Sequence, residues 1–356
     1  MLRIFVYGGY RNRQPLAYAP IRERLGNRVE LVDNPQDAQI LTVSHHKDLE
    51  LFGERIFEFA KQHPKLKVVL LSEEPFWDSV WMPNPLARTQ SFKTSAGAFP
   101  FTVLNHHTSL VFSATKIPYF LLTDPRYIAG YRPRLDRNAG MTATQWHSHF
   151  QQAQIDAAFI SIRRTGRLLS PAFPQADLFA LSVFRSEFAA CCRGDRIVRE
   201  GQGWTNGPKR QDLSDWHADK LSRFDLQCRY LSAFENTHQP MYVSEKIYDA
   251  FAVGAIPLYS ASPAHAVHRL VGSRGWVNFY DHMTPVPSMD ALEPVSLQIC
   301  GDYAAIQSQL AQLLAEKGIL EREYERLCSS LVRELKTVIE SAPTICKRCA
   351  VHTGLA

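Results

Sequence analysis

The chain has 356 residues, 45% hydrophobic and 21% charged, with a net charge of +5 and a pI near 8.8. That length accommodates two domains, each able to bury its own core, and the composition is ordinary for a globular protein. The mild basicity fits a phosphate-bearing or anionic partner without arguing for nucleic acid, and no apolar run approaches the roughly 18 residues of a membrane span.

LRIFVY (Leu2–Tyr7) reads as a strand running into a Gly-Gly turn, with no charged-then-apolar signal region. PIRERLG reads as a short helix, RVELV as a second strand and AQILTVS (Ala38–Ser44) as a third. Lys47–His63 reads as a helix carrying Leu51, Ile56, Phe57 and Phe59. LKVVLLSEE (Leu66–Glu74) is a very apolar strand ending in two carboxylates, and FTVLNHH (Phe101–His107) adds one more. Strands separated by helices predict a parallel, Rossmann-like sheet. Tyr127–Gln145, rich in Arg, Pro and Gly, reads as the crossing toward a second domain, and apolar patterns resume at Ala157 and Phe179. Tyr303–Val338 keeps a helical apolar stripe. The expected division is an N-terminal domain at 1–150, a second domain at 151–300, and a helical segment with a tail at 301–356.

The densest stretch is Tyr230–Pro263. Tyr230–Phe234 has the length and character of a buried strand, and Glu235–Met241, with Pro240, reads as a loop. Ser244 is a good N-cap, Ile247, Ala250, Phe251 and Val253 give an apolar helix face, and Gly254 is a natural stop. Ala255–Tyr259 follows as a strand whose Pro257 suggests an edge or bulged position. A helix start after a strand gathers free N–H groups, and here a carboxylate, a lysine, a tyrosine and an asparagine lie close by. Lys246 stands out, because a cation in the first helical turn opposes the dipole unless an anion is bound there too.

FENT (Phe234–Thr237), with Tyr242 six positions beyond Asn236 and YVSEK completing the run at Lys246, resembles the signature of the α-1,3/α-1,4-fucosyltransferases, glycosyltransferase family ten. GWVNFYDH (Gly275–His282) is similar to a downstream run of that family. Ser244 stands where Thr is commoner, and SASP (Ser260–Pro263) where a Gly usually precedes Ser-Pro. The resemblance implies an α/β chain of GT-B architecture: two Rossmann-like domains with parallel sheets facing a central cleft, and the donor held in the C-terminal half. It implies an inverting transfer of L-fucose from GDP-fucose to a GlcNAc- or Glc-containing glycan, in α-1,3 or α-1,4 linkage. Lys246 would clamp the diphosphate, Glu245 would take the ribose hydroxyls, and Asn236 and Tyr242 would add donor contacts. Arg185, in VFRSEF (Val183–Phe188), is similar to the family arginine that binds the diphosphate and balances leaving-group charge. The catalytic base would be a glutamate at the end of an N-terminal-domain strand, here Glu73 or Glu74 in LLSEEP (Leu70–Pro75). Alignment on Glu-x-Pro favours Glu73, with Glu74 the alternative.

No cofactor is expected to be tightly bound; a divalent metal (Mn or Mg) would be auxiliary, since no D-x-D pattern is present. Expected partners are the GDP-sugar and a glycan acceptor, with no nucleic acid and with oligomeric state left open. Without a leading membrane helix the chain reads as a bacterial, cytoplasmic version, peripheral on the inner face of the membrane and serving surface-glycan or lipopolysaccharide synthesis. Two alternatives stay open: transfer from another GDP-sugar, and a GT-B shell that binds without turnover. His45/His46 and His106/His107 read as polar loop residues rather than ligands. Phe76, Trp77 and Trp81 would either stack on acceptor sugars or fill the core. Seven cysteines in an odd set fit a reducing compartment, and the Cys346/Cys349 pair lacks a second pair that would make a zinc site.

Overall fold

The computed structural model describes residues 1–204, 212–282 and 294–341; Lys209, Arg210, Cys346, Lys347, Arg348, Cys349 and His352 lie outside them. The chain forms two compact units, Met1–Thr123 with the chain from Leu320 on, and Asp124–Ile319.

The first unit carries β1 (Leu2–Val6), α1 (Ala19–Leu25), β2 (Val29–Leu31), β3 (Ile40–Val43), α2 (His46–Gln62), β4 (Lys67–Leu71), β5 (Thr89–Thr94) and β6 (Gly97–Leu104). They form one sheet in the order β2-β1-β3-β4-β6-β5, parallel except for the β5–β6 hairpin. β3 and β4 are buried along their whole length, which is why they read as nearly continuous apolar runs, interrupted only by Thr42 and opened by Lys67, rather than alternating ones. Ile56 and Phe57 of α2 pack with Leu41, Val68, Leu70 and Phe99 in the core.

The β1 turn is sealed by its own chain. The Asp48 carboxylate accepts from the Gly9 and Tyr10 backbone N–H groups at 2.8 and 3.2 Å, and from Ser44 N–H at 3.3 Å. Gly8 has φ of +98°, and a Cβ there would meet Asp48 Cγ at 2.4 Å. In this half the glycine turn that could cradle an anion already holds an internal one.

The second unit contains α3 (Pro125–Ala139), α4 (Ala143–Gln152), β7 (Ile155–Ile160), β8 (Ala172–Phe173), β9 (Leu178–Ala180), α5 (Ser182–Cys191), β10 (Ile197–Glu200), α6 (Trp216–Phe224), β11 (Cys228–Ser232), β12 (Thr237–His238), α7 (Lys246–Ala252), β13 (Ile256–Tyr259), α8 (Val267–Val271), β14 (Val277–Asn278) and α9 (Leu297–Ala315). Its main sheet is all parallel, in the order β10-β7-β11-β13-β14. A small antiparallel sheet, β12-β9-β8, sits beside it in sequence and space. The α/β class and the two Rossmann-like parallel sheets expected of a GT-B chain are therefore present. The last helix, α10 (Ile319–Glu340), returns the chain to the first unit, where Arg24 and Arg28 pair with Glu321 and Glu325 at 2.6 and 2.7 Å.

Local readings differ from the structure in four places. Tyr127–Gln145, read only as the crossing toward a second domain, lies just past the unit boundary and is helical: α3 runs through Pro133 because Ile128, Tyr131 and Leu135 give it a buried face, and a Thr142/Gln145 capping box starts α4. The units divide at Thr123/Asp124 and Ile319/Leu320, where the sequence suggested 150/151 and 300/301. The long C-terminal stripe is two helices, broken where Gly318 takes φ of +74°. Pro257 lies in an inner strand, tolerated because the pairing of β13 with β14 begins only at Leu258.

Candidate functional site

Residues singled out in the second unit gather in the loops that follow its parallel strands. β11 delivers Phe234 and Glu235 past its end, and β12 pairs Thr237 with Ala180 of β9. The Asn236 carbonyl accepts from Leu181 N–H at 2.9 Å and from Ser182 Oγ at 3.3 Å, so α5 starts on the FENT loop. Phe184 and Phe188 then pack against Phe234, with ring centroids 5.3 and 5.6 Å apart. Arg185 is carried by the same helix turn, within electrostatic reach of Glu235.

Glu235 is the centre of this region. It is 2% exposed and accepts from Ser244 N–H and Ser244 Oγ, each at 2.7 Å. Lys246 Nζ lies 3.1 Å from Glu235 Oε2 and 3.4 Å from Glu245 Oε1, and donates to Ser244 Oγ at 2.8 Å. Ser244 is therefore not the N-cap that the sequence suggested. Glu245 occupies that position without a side-chain cap bond, and the Ser244 hydroxyl donates to Glu235 while accepting from Lys246 Nζ and, at 3.5 Å, from the Lys246 N–H. Burial raises the Glu235 pKa and Lys246 only partly offsets it. For Glu245 burial also acts upward, but Lys246 wins and the group stays below its ordinary value. Lys246 would be lowered by burial, yet Glu235 and Glu245 hold it above its ordinary value.

Arg185 behaves differently. Burial, and the like charge of Arg164, pull its pKa down despite Glu235, and its buried Nε has no hydrogen-bond partner among the described residues. An unsatisfied buried guanidinium nitrogen is costly, and an acceptor atom of a ligand placed there would satisfy it. Tyr242 is 3% exposed, in the same loop between Glu235 and Lys246. Arg185, Asn236, Tyr242, Glu245 and Lys246 thus belong to one set of connected loops and helix starts.

A second buried network holds α7 in place and was not singled out from the sequence. Asp249, fully buried, accepts from Tyr131 at 2.6 Å, meets His217 Nε2 at 2.7 Å, and accepts from Lys220 at 2.8 Å. Burial alone would raise its pKa, but Lys220 and His217 hold it well below the carboxylate range. At the other end of α7, Asn138 donates to the Phe251 and Ala252 carbonyls at 3.0 and 3.1 Å, and Gln307 to Phe251 at 2.8 Å. A carboxylate on an otherwise apolar helix face was the one legible signal for Asp249.

In the first unit the two adjacent glutamates are sharply different. Glu73 is 9% exposed, and its oxygens accept from Tyr18 at 2.9 Å and Tyr119 at 3.0 Å. Burial pushes its pKa up to about 7 against the pull of the two hydroxyls. Glu74 faces the other way, paired to Arg13 at 2.8 Å. Arg13 also reaches Asp78 at 3.3 Å, and Asp78 accepts from Ser72 Oγ. Burial and then Glu74 raise Asp78 well above its ordinary value.

Of the four histidines read as polar loop residues, His45, His46 and His106 are buried and His107 is half-buried. His45 caps α2 by accepting from Lys47 N–H at 3.1 Å, and burial holds its pKa down at about 3. His106 stacks on Phe112 at 4.2 Å. Phe76 is 1% exposed and belongs to the core, whereas Trp81 is 52% exposed and stays available for stacking. Among the described residues no group of His, Cys, Asp and Glu side chains is arranged to hold a metal ion, and no helix is long and apolar enough to cross a membrane.

No family model and no curated protein matches this chain. Among solved structures it is similar to an α1,3-fucosyltransferase with GDP-fucose at 15% identity and a TM-score of 0.42. It is also similar to α1,3-fucosyltransferase structures described without ligand, at 15% and 0.40, and with GDP, at 14% and 0.40. Each likeness covers 96% of this chain and 90% of the other.

Proposed function

We propose that the chain is an inverting glycosyltransferase that moves L-fucose from GDP-fucose to a GlcNAc- or Glc-containing glycan. The observation that carries the reading is the buried Nε of Arg185, without a partner among the described residues, on a helix that starts on the FENT loop whose Glu235 also meets Lys246. A planar guanidinium and an ammonium together suit the oxygens of a diphosphate. The resemblance of the motif supplies the choice of guanosine and of fucose.

In this reading Arg185 and Lys246 bind the diphosphate and stabilise the charge that develops on it as the sugar bond breaks. Glu245 accepts from the ribose hydroxyls, and Asn236 and Tyr242 complete the donor contacts. The acceptor hydroxyl attacks the anomeric carbon, Glu73 takes its proton, and GDP departs with the bonding electron pair. The pKa of about 7 supports Glu73 as the base over Glu74, because a base is most effective when its pKa lies near the working pH. Glu74 is committed to Arg13. No step is routed through a metal.

The test is a calorimetric titration with GDP, followed by GDP release from a panel of GDP-sugars with and without lactose or N-acetyllactosamine. Release from GDP-fucose alone, increased by acceptor, is the expected result. Release from another GDP-sugar would keep the class and change the donor, binding without release would leave a non-catalytic module, and no GDP binding by folded protein would end the reading.

A further inference from the structure

Glu73 sits just past β4 in surroundings built from three separate stretches of the first unit. Tyr18, the residue before α1, donates to Oε1, and Tyr119, at the start of the 3-10 turn Tyr119–Leu122, donates to Oε2. The Glu73 backbone N–H is tied as well, to the Arg13 carbonyl at 3.1 Å. A carboxylate that accepts one bond at each oxygen cannot turn about its last torsion without losing both, so its plane is fixed.

The two hydroxyls are not equivalent. Tyr119 is 1% exposed, with its ring 4.8 Å from Phe112 and 5.1 Å from Phe120, while Tyr18 is half-buried. Phenylalanine would pack as well at the Tyr119 position, so it is the hydroxyl that needs a polar partner there, and Glu73 is that partner. The charged groups around Glu73 are otherwise engaged: Arg13 lies between Glu74 and Asp78, and His45 Nε2 is 3.4 Å from Asp78. Among the described residues the hydrogen-bond donors to the Glu73 carboxylate are neutral hydroxyls, and Arg13 acts on it only through space. An arginine in hydrogen-bond contact would hold the carboxylate too acidic to take a proton, whereas neutral hydroxyls steady it and leave it basic.

We propose that Tyr18 and Tyr119 are a positioning pair for Glu73, two neutral hydroxyls that fix its carboxylate plane and leave a lone pair of Oε1, at the half-buried Tyr18 end, to receive the acceptor's proton. This rests on Glu73 being the base. In the step, the acceptor O–H proton passes to Oε1, the acceptor oxygen bonds to the anomeric carbon, and the bond to the phosphate oxygen breaks with its electron pair on GDP. Tyr119 keeps its proton throughout; burial and the facing Glu73 carboxylate hold its hydroxyl well above its ordinary pKa.

The experiment uses the full chain with Tyr18→Phe, Tyr119→Phe and the double variant, each also made in a Glu73→Gln background. The pH dependence of kcat/KM for GDP-fucose reads the base through turnover. Urea unfolding from pH 5 to 9, taken as the difference from the Glu73→Gln background, reads the ionisation of Glu73 without turnover. Removing a donor to the charged form moves both profiles alkaline by about 1 pH unit per tyrosine. Each single variant then loses ~5-fold in kcat at pH 7 from ionisation alone, with KM for the donor unchanged. If the unfolding profile moves and the rate profile does not, the clamp stands and Glu73 is not the base. Folded variants in which neither profile moves overturn the proposal, and Tyr18→Phe, at the more exposed end, provides that answer even if Tyr119→Phe unfolds.

Discussion

Replacing Lys246 by methionine separates its role in the fold from its role toward a ligand. In the structure Nζ lies 3.1 Å from a Glu235 oxygen, and Glu235 is 2% exposed. Removing one partner of a buried pair costs about 3–5 kcal/mol, because the other charge stays buried and uncompensated. Here the lysine side chain is 25% exposed, and Ser244 still donates twice to Glu235. The expected loss is therefore about 2–3 kcal/mol at pH 8. The sign with pH follows from Glu235. Its pKa is already raised by burial and rises further without the lysine, so the variant's folded state prefers the protonated acid. The deficit is small below the ordinary glutamate range and grows as pH rises through the raised pKa. Urea unfolding at several pH values measures this, with Glu235→Gln/Lys246→Met as the double variant that removes the stranded charge and recovers about half of the loss or more. GDP calorimetry on that double variant then reports the ligand role alone, with affinity expected to fall at least ~10-fold, about 1.4 kcal/mol. A single variant as stable as the parent at pH 8, or a deficit independent of pH, would refute the ion-pair reasoning.

Glu73→Gln should abolish transfer, keep GDP binding and make the protein more stable in alkali. The gap between the ordinary 4.5 and about 7 corresponds to about 3 kcal/mol of stability lost as pH rises through that window. The variant should therefore gain about 2–3 kcal/mol in urea at pH 8 and nothing at pH 4. Arg185→Ala should cut GDP affinity at least ~10-fold by calorimetry with little change in thermal unfolding, since its Nε has no partner among the described residues. Asp249→Asn strands Lys220, which is 6% exposed, and should cost about 3 kcal/mol in urea unfolding, with Lys220→Met recovering much of it. Gly8→Ala should cost about 2–3 kcal/mol in the same assay, because its backbone has φ of +98° and its Cβ would strike Asp48. Gly9→Ala, whose Cβ would lie 3.8 Å from the nearest atom, serves as the control and should cost under ~1 kcal/mol.

What the amino-acid order determined by itself is what repeats over short distances. Apolar runs such as VVLL specify buried parallel strands, and the spacing from Tyr230 to Gly254 specifies strand, loop, helix and stop, with Gly254 at φ of +75° ending α7. The same local reading brought Asn236, Tyr242, Glu245 and Lys246 together, because they lie in one short stretch of chain. It failed where a helix face was hidden under helix-breaking composition, as at Pro133 in α3.

Tertiary structure alone decided how the two glutamates of LLSEEP differ. Residue type is identical and the positions are adjacent, yet Glu73 meets hydroxyls 55 and 46 positions away while Glu74 meets an arginine 61 positions away. A pKa is set by burial and by which donors arrive through space, and neither quantity is written in the neighbouring residues. The same holds for Asp249, whose three partners come from α3 and α6, and for Asp48, which fills the glycine turn from the first turn of α2. Local pattern specified where strands and helices begin; long-range packing specified which charged groups are satisfied within the fold and which, like the Nε of Arg185, find no partner among the described residues.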